Sequence, residues 1–149
     1  MDLTSTLPLP PLMTAAALVA QRVLSSRSTP SRPTSLLGGV IGAAGVGAMV
    51  AGVVQFRSRG TTLDPSRPDG ASVLVTRGIY RYSRNPIYLG DGLALLGYAV
   101  HRRSVMAAIP AAAWLVLMDG IQIPKEEDAL ATRFGSRYGD YSAVVRRWI

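Results

Sequence analysis

The stretch that decides the fold is LLGGVIGAAGVGAMVAGVVQF, which runs from Leu36 to Phe56. These 21 residues carry no charge. An α-helix of that length, at about 1.5 Å per residue, reaches roughly 31 Å, which is enough to cross the core of a bilayer. Small residues recur four positions apart, as in Gly38/Gly42 and Ala48/Gly52, a spacing that allows close helix packing. We predict a transmembrane helix that packs against another helix of the same chain, with dimerisation as the alternative.

Three further segments are candidates for membrane helices. Ser104–Ile123 is an apolar run of 20 residues. Pro86–Val100 is a run of 15 residues, roughly 22 Å long as a helix. Because this shorter run contains Asp91, it cannot lie alone in lipid, and we predict that the two runs form a hairpin turning at residues 101–103. Leu7–Leu24 is the fourth candidate, and no basic residue precedes its apolar part, which disfavours a signal peptide.

The composition agrees with a membrane protein. The chain has 149 residues, which supports a single domain. Hydrophobic residues make up 48% of it and charged residues 17%, against about 25% charged in ordinary soluble domains. The net charge is +7, but the arginines lie between apolar runs, which favours the membrane over nucleic acid as the partner. The absence of cysteine excludes disulfides and thiol chemistry.

We therefore predict an all-α integral membrane protein with about four transmembrane helices, a short helical hairpin among them. Residues 1–56 would hold the N-terminal spans and residues 72–149 a separate core within one membrane domain, 1–149. Basic residues number eleven in segments 57–84 and 125–149, and five in segments 21–35 and 101–103. The positive-inside rule then places both termini in the cytoplasm, as in a bacterial inner membrane or a plasma membrane.

The C-terminal tail has a helical pattern of its own. Apolar and aromatic residues in it step by three or four positions, which places them on one helical face. Arginines occupy the rest, so we predict an amphipathic helix at the membrane surface, with a break near Gly135 or Gly139. The apolar face consists of Leu130, Phe134, Tyr138, Tyr141, Val145 and Trp148, and the basic remainder of Arg133, Arg137, Arg146 and Arg147.

Residues 77–90, RGIYRYSRNPIYLG, gather charge and aromatic rings at the start of a predicted helix. Asn85 is a good N-cap, and Pro86 suits the first helical position. The positive helix end and the arginines favour an anion, while the tyrosines offer faces to a flat ring or a cation. An adenine-bearing cofactor would satisfy both, and an ordinary interfacial belt is the alternative. The residues concerned are Arg77, Arg81, Arg84, Tyr80, Tyr82 and Tyr88.

Acidic residues mark a second region of interest. Glu126, Glu127 and Asp128 follow the last predicted span directly. They either pair with the arginine cluster across the loop or form a solvated charge run. Asp91 and Asp119 lie within predicted spans, where acids are costly and usually paired or functional, and the two could meet across the hairpin.

Other common kinds of site have no sequence support. His101 is the only histidine and lies beside two arginines in the predicted turn, which indicates a surface residue. No set of His, Cys and acidic residues has the spacing of a metal site. No glycine-rich phosphate loop follows a strand, which argues against a Rossmann nucleotide site.

Two blocks together resemble a known family. SVLVTRGIYRYSRNPIYLG and EEDALATRFGSRYGDYSAVVRRW lie on either side of an apolar hairpin, between Ser72 and Trp148. This combination resembles the isoprenylcysteine carboxyl methyltransferases, which are integral membrane enzymes related to the phospholipid N-methyltransferases. The resemblance implies an S-adenosylmethionine site at the cytoplasmic membrane face, built without a Rossmann domain.

The resemblance also implies roles for individual residues. The first four matching residues would lie along the cofactor through backbone groups, and Tyr80 would supply an aromatic contact. Four residues at the helix start would complete the pocket. Glu126 would accept hydrogen bonds from the cofactor, with Glu127 beside it. The implied cofactor-binding residues are Ser72, Val73, Leu74, Val75, Tyr80, Asn85, Pro86, Ile87, Tyr88, Glu126 and Glu127.

The chain departs from the prenylcysteine enzymes at two positions. It has Asn85 where they have histidine, and the uncharged Gln122 near the place where they have an arginine for the substrate carboxylate. A prenylcysteine acceptor is therefore disfavoured. Arg84 and Gln122 are the candidate substrate contacts, and the sequence assigns no catalytic residue.

The leading hypothesis is methyl transfer from S-adenosylmethionine to a lipophilic small molecule or lipid that enters from the bilayer. The enzymatic alternative is an NADPH-dependent membrane reductase of the sterol-reductase type, for which the arginines at 77–84 would suit a 2′-phosphate. The non-enzymatic alternative is a small membrane adaptor with a basic face. No nucleic acid and no obligate protein partner are indicated.

Overall fold

The computed structural model describes residues 9–58 and 73–149. Its α-helices in these ranges are α1 (Pro10–Leu24), α2 (Arg32–Arg57), α3 (Pro86–Arg102), α4 (Val105–Leu117), α5 (Ile123–Phe134) and α6 (Ser136–Val144). A short 3-10 helix, Gly78–Arg81, precedes α3, and a π-helical turn, Met118–Gln122, joins α4 to α5. The described ranges hold no strand, so the predicted all-α class is confirmed.

Two of the described helical segments are long and apolar enough to cross a membrane. They are Arg32–Arg57, which contains the predicted span Leu36–Phe56, and Val105–Phe134, which continues through the π-turn beyond the predicted end at Ile123. Helices α1 and α3 have only 15 and 17 residues. Four spans therefore stay a prediction. The first predicted residue of the N-terminal span, Leu7, lies outside the described ranges.

Local sequence determines where the helices begin and end. Ser31 and Thr34 form a reciprocal capping box at the start of α2. Helix α3 begins at Pro86, as predicted. The predicted hairpin is confirmed: Arg103 takes the left-handed conformation, with φ of 51°, and Ser104 caps the first turn of α4.

Helices α2 and α3 run antiparallel and touch along a line of glycines, which we call the glycine seam. Gly38 lies against Gly97, Gly45 lies against Gly90, and Gly52 lies against the first turn of α3. A Cβ atom added to Gly45 would come within 2.6 Å of the carbonyl oxygen of Gly90, so no side chain fits there. The predicted packing within the chain is confirmed.

The period of the seam differs from the prediction. Its glycines recur seven residues apart on each helix, and not four. Gly42, which belongs to the predicted spacing, has no atom within 4 Å of an added Cβ, although its backbone nitrogen would lie 2.7 Å from a Cβ atom added to Gly97. Seven residues make nearly two helical turns, so a repeat of seven keeps the same face of each helix toward its partner over the whole contact.

Polar contacts bind α1 to the hairpin. Gln21 is fully buried, and its Nε2 donates to the carbonyl oxygens of Leu95 at 2.9 Å and Ala107 at 2.7 Å. The indole Nε1 of Trp114 donates to the hydroxyl of Thr14 at 3.0 Å. These contacts were not predicted, and they fix α1 against both α3 and α4. The apolar core around them comprises Met13, Ala17, Tyr88, Leu95, Trp114, Met118 and Ile123.

The tail folds as two helices, so the predicted break in its amphipathic pattern is confirmed. The chain turns at Gly135, one of the two predicted break points, where φ is 54°. The turn brings most of the predicted apolar face into one cluster, but Trp148 packs against the core of the bundle instead. A position of these helices at the membrane surface stays a prediction. The tail cluster comprises Leu74, Leu130, Phe134, Tyr138, Tyr141 and Val145.

Candidate active site

Glu126 is held by donors from two different elements. The hydroxyl of Tyr88, on α3, donates to Oε1 of Glu126 at 2.6 Å. The amide Nε2 of Gln122, at the end of the π-turn, donates to the same oxygen at 2.8 Å. Tyr88 is buried and meets the ring of Trp114 edge to face, with centroids 6.4 Å apart. The orientation of the Glu126 carboxylate is therefore set by a packed core.

The second oxygen of this carboxylate, Oε2, differs from Oε1 in its hydrogen bonds. Both hydrogen bonds that the described residues give to Glu126 end on Oε1, and none ends on Oε2. An ionised carboxylate can accept on both oxygens. Glu126 thus combines a fixed orientation with an oxygen that can accept a hydrogen bond from a ligand.

Tyr80 interacts electrostatically with the same carboxylate. It is buried in the 3-10 helix, packs against Phe56 with ring centroids 5.3 Å apart, and its carbonyl oxygen accepts the Tyr141 hydroxyl at 2.7 Å. Burial raises the pKa of the Tyr80 phenol above its ordinary value, and Tyr141 and Glu126 raise that pKa further. The phenol is therefore neutral at physiological pH, and Tyr80 presents an uncharged aromatic ring.

Glu127 has a different environment from its neighbour. It pairs with Arg84, whose Nη2 lies 3.0 Å from Oε1. Arg147 binds it through two hydrogen bonds, from Nε to Oε1 at 3.2 Å and from Nη2 to Oε2 at 2.7 Å. The predicted pairing of the acids with the arginine cluster is confirmed for Glu127. Because both of its oxygens bind arginine, Glu127 is better placed to hold the elements of the site together than to bind a ligand.

The two acids that fall within predicted spans have separate partners. Asp91 accepts the Thr14 hydroxyl at 3.3 Å. Asp119 accepts Arg147 Nη1 at 3.1 Å and Trp148 Nε1 at 2.9 Å. No hydrogen bond joins Asp91 to Asp119 among the described residues, so the possible meeting of the two acids across the hairpin is not observed.

Asn85 occupies the predicted position but has a different contact. It precedes α3 as the N-cap residue, yet its side chain makes no capping hydrogen bond. Its amide Nδ2 donates instead to the carbonyl oxygen of Arg147 at 3.1 Å. The prediction of side-chain capping is wrong: the side chain donates to the returning tail and accepts no hydrogen bond from the N–H groups of the first turn.

The remaining predicted cofactor residues lie around this centre. Leu74 packs against the tail cluster, Val75 is buried, and Val73 is 39% exposed. Pro86 and Ile87 pack toward Gly52 of α2. Ser72 lies outside the described residues.

Some residues of this region were not found from the sequence. The tail pattern puts Arg147 on the basic side of the predicted helix, whereas in the structure it bridges Glu127 and Asp119. The need of these two acids for a cation is the signal that could have revealed this role. The π-turn has no sequence signature. Among the described residues, no group of three or more potential ligands could hold a metal ion. His101 is partly exposed and lies beside the ring of Tyr98.

Comparison with known proteins identifies the family. The family model for phospholipid methyltransferase matches residues 33–137, which is well over half of the chain and includes Tyr88, Gln122 and Glu126. Neither the curated proteins nor the solved structures compared with the chain match it. The narrower resemblance to isoprenylcysteine carboxyl methyltransferases stays a prediction. With two helices able to cross a membrane and a match of this extent, the chain belongs to the phospholipid methyltransferase family of membrane methyltransferases.

Proposed function

We propose that the protein transfers a methyl group from S-adenosylmethionine to a lipophilic small molecule or a lipid at the membrane. The single observation that carries the proposal is the Glu126 carboxylate, oriented through Oε1 by Tyr88 and Gln122 while Oε2 can accept a ligand. S-adenosylmethionine has hydrogen-bond donors on its ammonium, ribose and adenine groups, and a positive sulfonium. A negative, well-oriented acceptor beside neutral aromatic rings fits those groups.

The cofactor supplies an activated methyl group on a sulfonium. In the transfer, the bond from sulfur to the methyl carbon breaks, its electron pair returns to sulfur as a neutral thioether, and the acceptor nucleophile forms the new bond. Glu126 would hold the cofactor, Tyr80 and Tyr88 would exclude water from one side, and Arg84 would attract its carboxylate. The protein's main contribution is alignment of donor and acceptor.

We place the cofactor-binding core in residues 72–149 and regard the N-terminal spans, residues 1–56, as its scaffold. The Nε2 atom of Gln122 donates to Glu126, so the proposed contact of Gln122 with the acceptor would use its side-chain oxygen. Arg84 pairs with Glu127 through Nη2, so its proposed contact with the cofactor carboxylate or the acceptor would use its other N–H groups. Asn85 and Gln122 stand where the prenylcysteine enzymes have histidine and arginine, so the acceptor we propose is not a prenylcysteine.

Titration of the detergent-purified protein with S-adenosylmethionine, and separately with NADPH, tests the proposal. We expect saturable binding of the methyl donor and none of NADPH, because the cofactor must meet a carboxylate at Glu126 and a 2′-phosphate would be repelled by it. Binding of NADPH alone would contradict the proposal and favour a reductase. Binding of neither by a folded protein would favour an adaptor.

Tyr88→Phe tests the orientation of Glu126. The change removes one hydroxyl and leaves the ring in the core, so we expect S-adenosylmethionine to bind about five-fold more weakly, in proportion to one hydrogen bond. Tyr98→Phe is the matched control, since Tyr98 lies on the same helix and its hydroxyl makes no hydrogen bond with the described residues. Equal affinity of Tyr88→Phe and wild type would contradict the role of Tyr88.

The proposed cytoplasmic orientation has a direct test, because the chain has no cysteine. Thr29 and Ala143 are both exposed and lie in segments that the basic-residue count assigns to opposite sides. We expect Ala143→Cys to resist a membrane-impermeant maleimide in intact cells and Thr29→Cys to react. The opposite pattern would reverse the orientation, and labelling after permeabilisation checks that both cysteines are reactive.

A further inference from the structure

The end of the chain returns to the start of α3. The backbone nitrogen of Arg84 donates to the carbonyl oxygen of Arg146 at 3.0 Å. The next carbonyl oxygen, of Arg147, accepts the hydroxyl of Ser83 at 3.3 Å and the amide of Asn85 at 3.1 Å. Residues 146–148, which we call the C-terminal strap, are thereby fixed to the segment that leads into α3.

The side chains of the strap bind the other half of the site. Arg147 makes a two-point contact with Glu127 on α5 and also reaches the backbone oxygen and Oδ1 of Asp119 in the π-turn. Trp148 donates to the same Oδ1 of Asp119. Hydrogen bonds to Glu127 and Asp119 raise the pKa of the Arg147 guanidinium above its ordinary value, so its charge is permanent.

The strap therefore connects two elements that otherwise touch little. Direct packing between α3 and α5 is sparse compared with that between α2 and α3. Yet the oriented carboxylate depends on both, since Tyr88 lies on α3 and Glu126 on α5. Tyr88 is one turn from the anchored segment 83–85, and Glu126 is adjacent to Glu127. A planar guanidinium that binds through several fixed hydrogen bonds sets such a separation more closely than a flexible ammonium can.

We propose that Arg147 is a positioning residue, which sets the distance between Tyr88 and Glu126 and thereby the affinity for the methyl donor. This inference rests on the proposed function. It adds a residue that lies beyond the family match, which ends at residue 137. Arg147 acts through Glu127 and Asp119 and does not itself contact the cofactor.

The test compares Arg147→Gln with Arg146→Gln, since Arg146 is the exposed neighbour and loses the same charge. We expect Arg147→Gln to raise the Kd for S-adenosylmethionine about tenfold, on the scale of a lost charge-assisted hydrogen bond. Arg147→Lys, which keeps the charge but not the two-point geometry, should restore part of the affinity. Arg146→Gln should bind as wild type does.

Each result decides between defined alternatives. Binding is measured well below the thermal midpoint of each variant, so a residue that only stabilises the fold would lower the midpoint and leave Kd unchanged. That outcome would overturn the positioning role alone. Failure of the wild-type protein to bind would instead remove the proposed function, and the positioning role with it. If Arg147→Gln does not fold, the Kd of Arg147→Lys is compared with those of Arg146→Gln and wild type instead.

Discussion

Glu126→Gln is expected to bind S-adenosylmethionine about 10- to 100-fold more weakly than wild type, on the scale of a hydrogen bond to a charged group. The amide oxygen can still accept Tyr88 and Gln122, which in the native protein donate to Oε1 at 2.6 and 2.8 Å. The change therefore keeps the local packing and removes the negative charge. Calorimetric titration in detergent gives the affinity of each protein.

Glu126→Ala is the harsher companion, and Asp128→Asn is the matched control. The alanine leaves two donors without their acceptor, so we expect no detectable binding. Asp128 lies on the same helix, is exposed, and loses the same charge in its variant. We expect Asp128→Asn to keep the native affinity. Native affinity in Glu126→Gln as well would show that the carboxylate is not a cofactor ligand.

The second large effect is expected in the glycine seam. Gly45→Ala places a methyl group 2.6 Å from the carbonyl oxygen of Gly90 and 2.9 Å from the backbone nitrogen of Ala94. Backbone atoms of a helix cannot rotate away as a side chain can, so α2 and α3 must separate. We expect a loss of about 3 kcal/mol, at the upper end for overpacking, and a midpoint lowered by about 10 °C.

Gly47→Ala is the control for this prediction. Gly47 lies two residues further along α2 and has no atom within 4 Å of an added Cβ. Alanine also forms helix more readily than glycine, so we expect this variant to be as stable as wild type or slightly more stable. Thermal unfolding in one detergent compares the two variants. A midpoint for Gly45→Ala equal to that of Gly47→Ala would mean that the helices can move apart without cost.

Much of the architecture follows from patterns that are local in the sequence. The uncharged run Leu36–Phe56 predicts α2 because no charged residue interrupts it. Pro86 predicts the start of α3 because its fixed φ suits the first helical turn. Pairing between the acids at 126–128 and the arginine cluster is one of two outcomes that the charges allow, and the structure selects the pair Glu127–Arg84.

The remaining features depend on contacts between distant segments. The glycine-rich run of α2 contains spacings of both four and seven, and only the position of Gly90 and Gly97 on α3 selects the latter. The side chain of Asn85 can accept a capping hydrogen bond through its oxygen or donate one through its amide nitrogen, and the outcome depends on where residue 147 arrives. The roles of Gln21 and Arg147 are likewise set by partners 74 and 20 residues away along the chain.

The π-turn at Met118–Gln122 has a consequence for register. A π-turn is equivalent to one residue inserted into an α-helix. Each residue rotates the downstream part of the helix by about 100° around the axis, since 3.6 residues make one turn. Deleting one residue there would preserve the composition and nearly the length of the span. It would nevertheless swing Glu126 and Glu127 away from α3 and from Arg147 together. The extra residue thus sets the rotation of α5 about its axis, so that Glu126 faces Tyr88 and Glu127 faces Arg147.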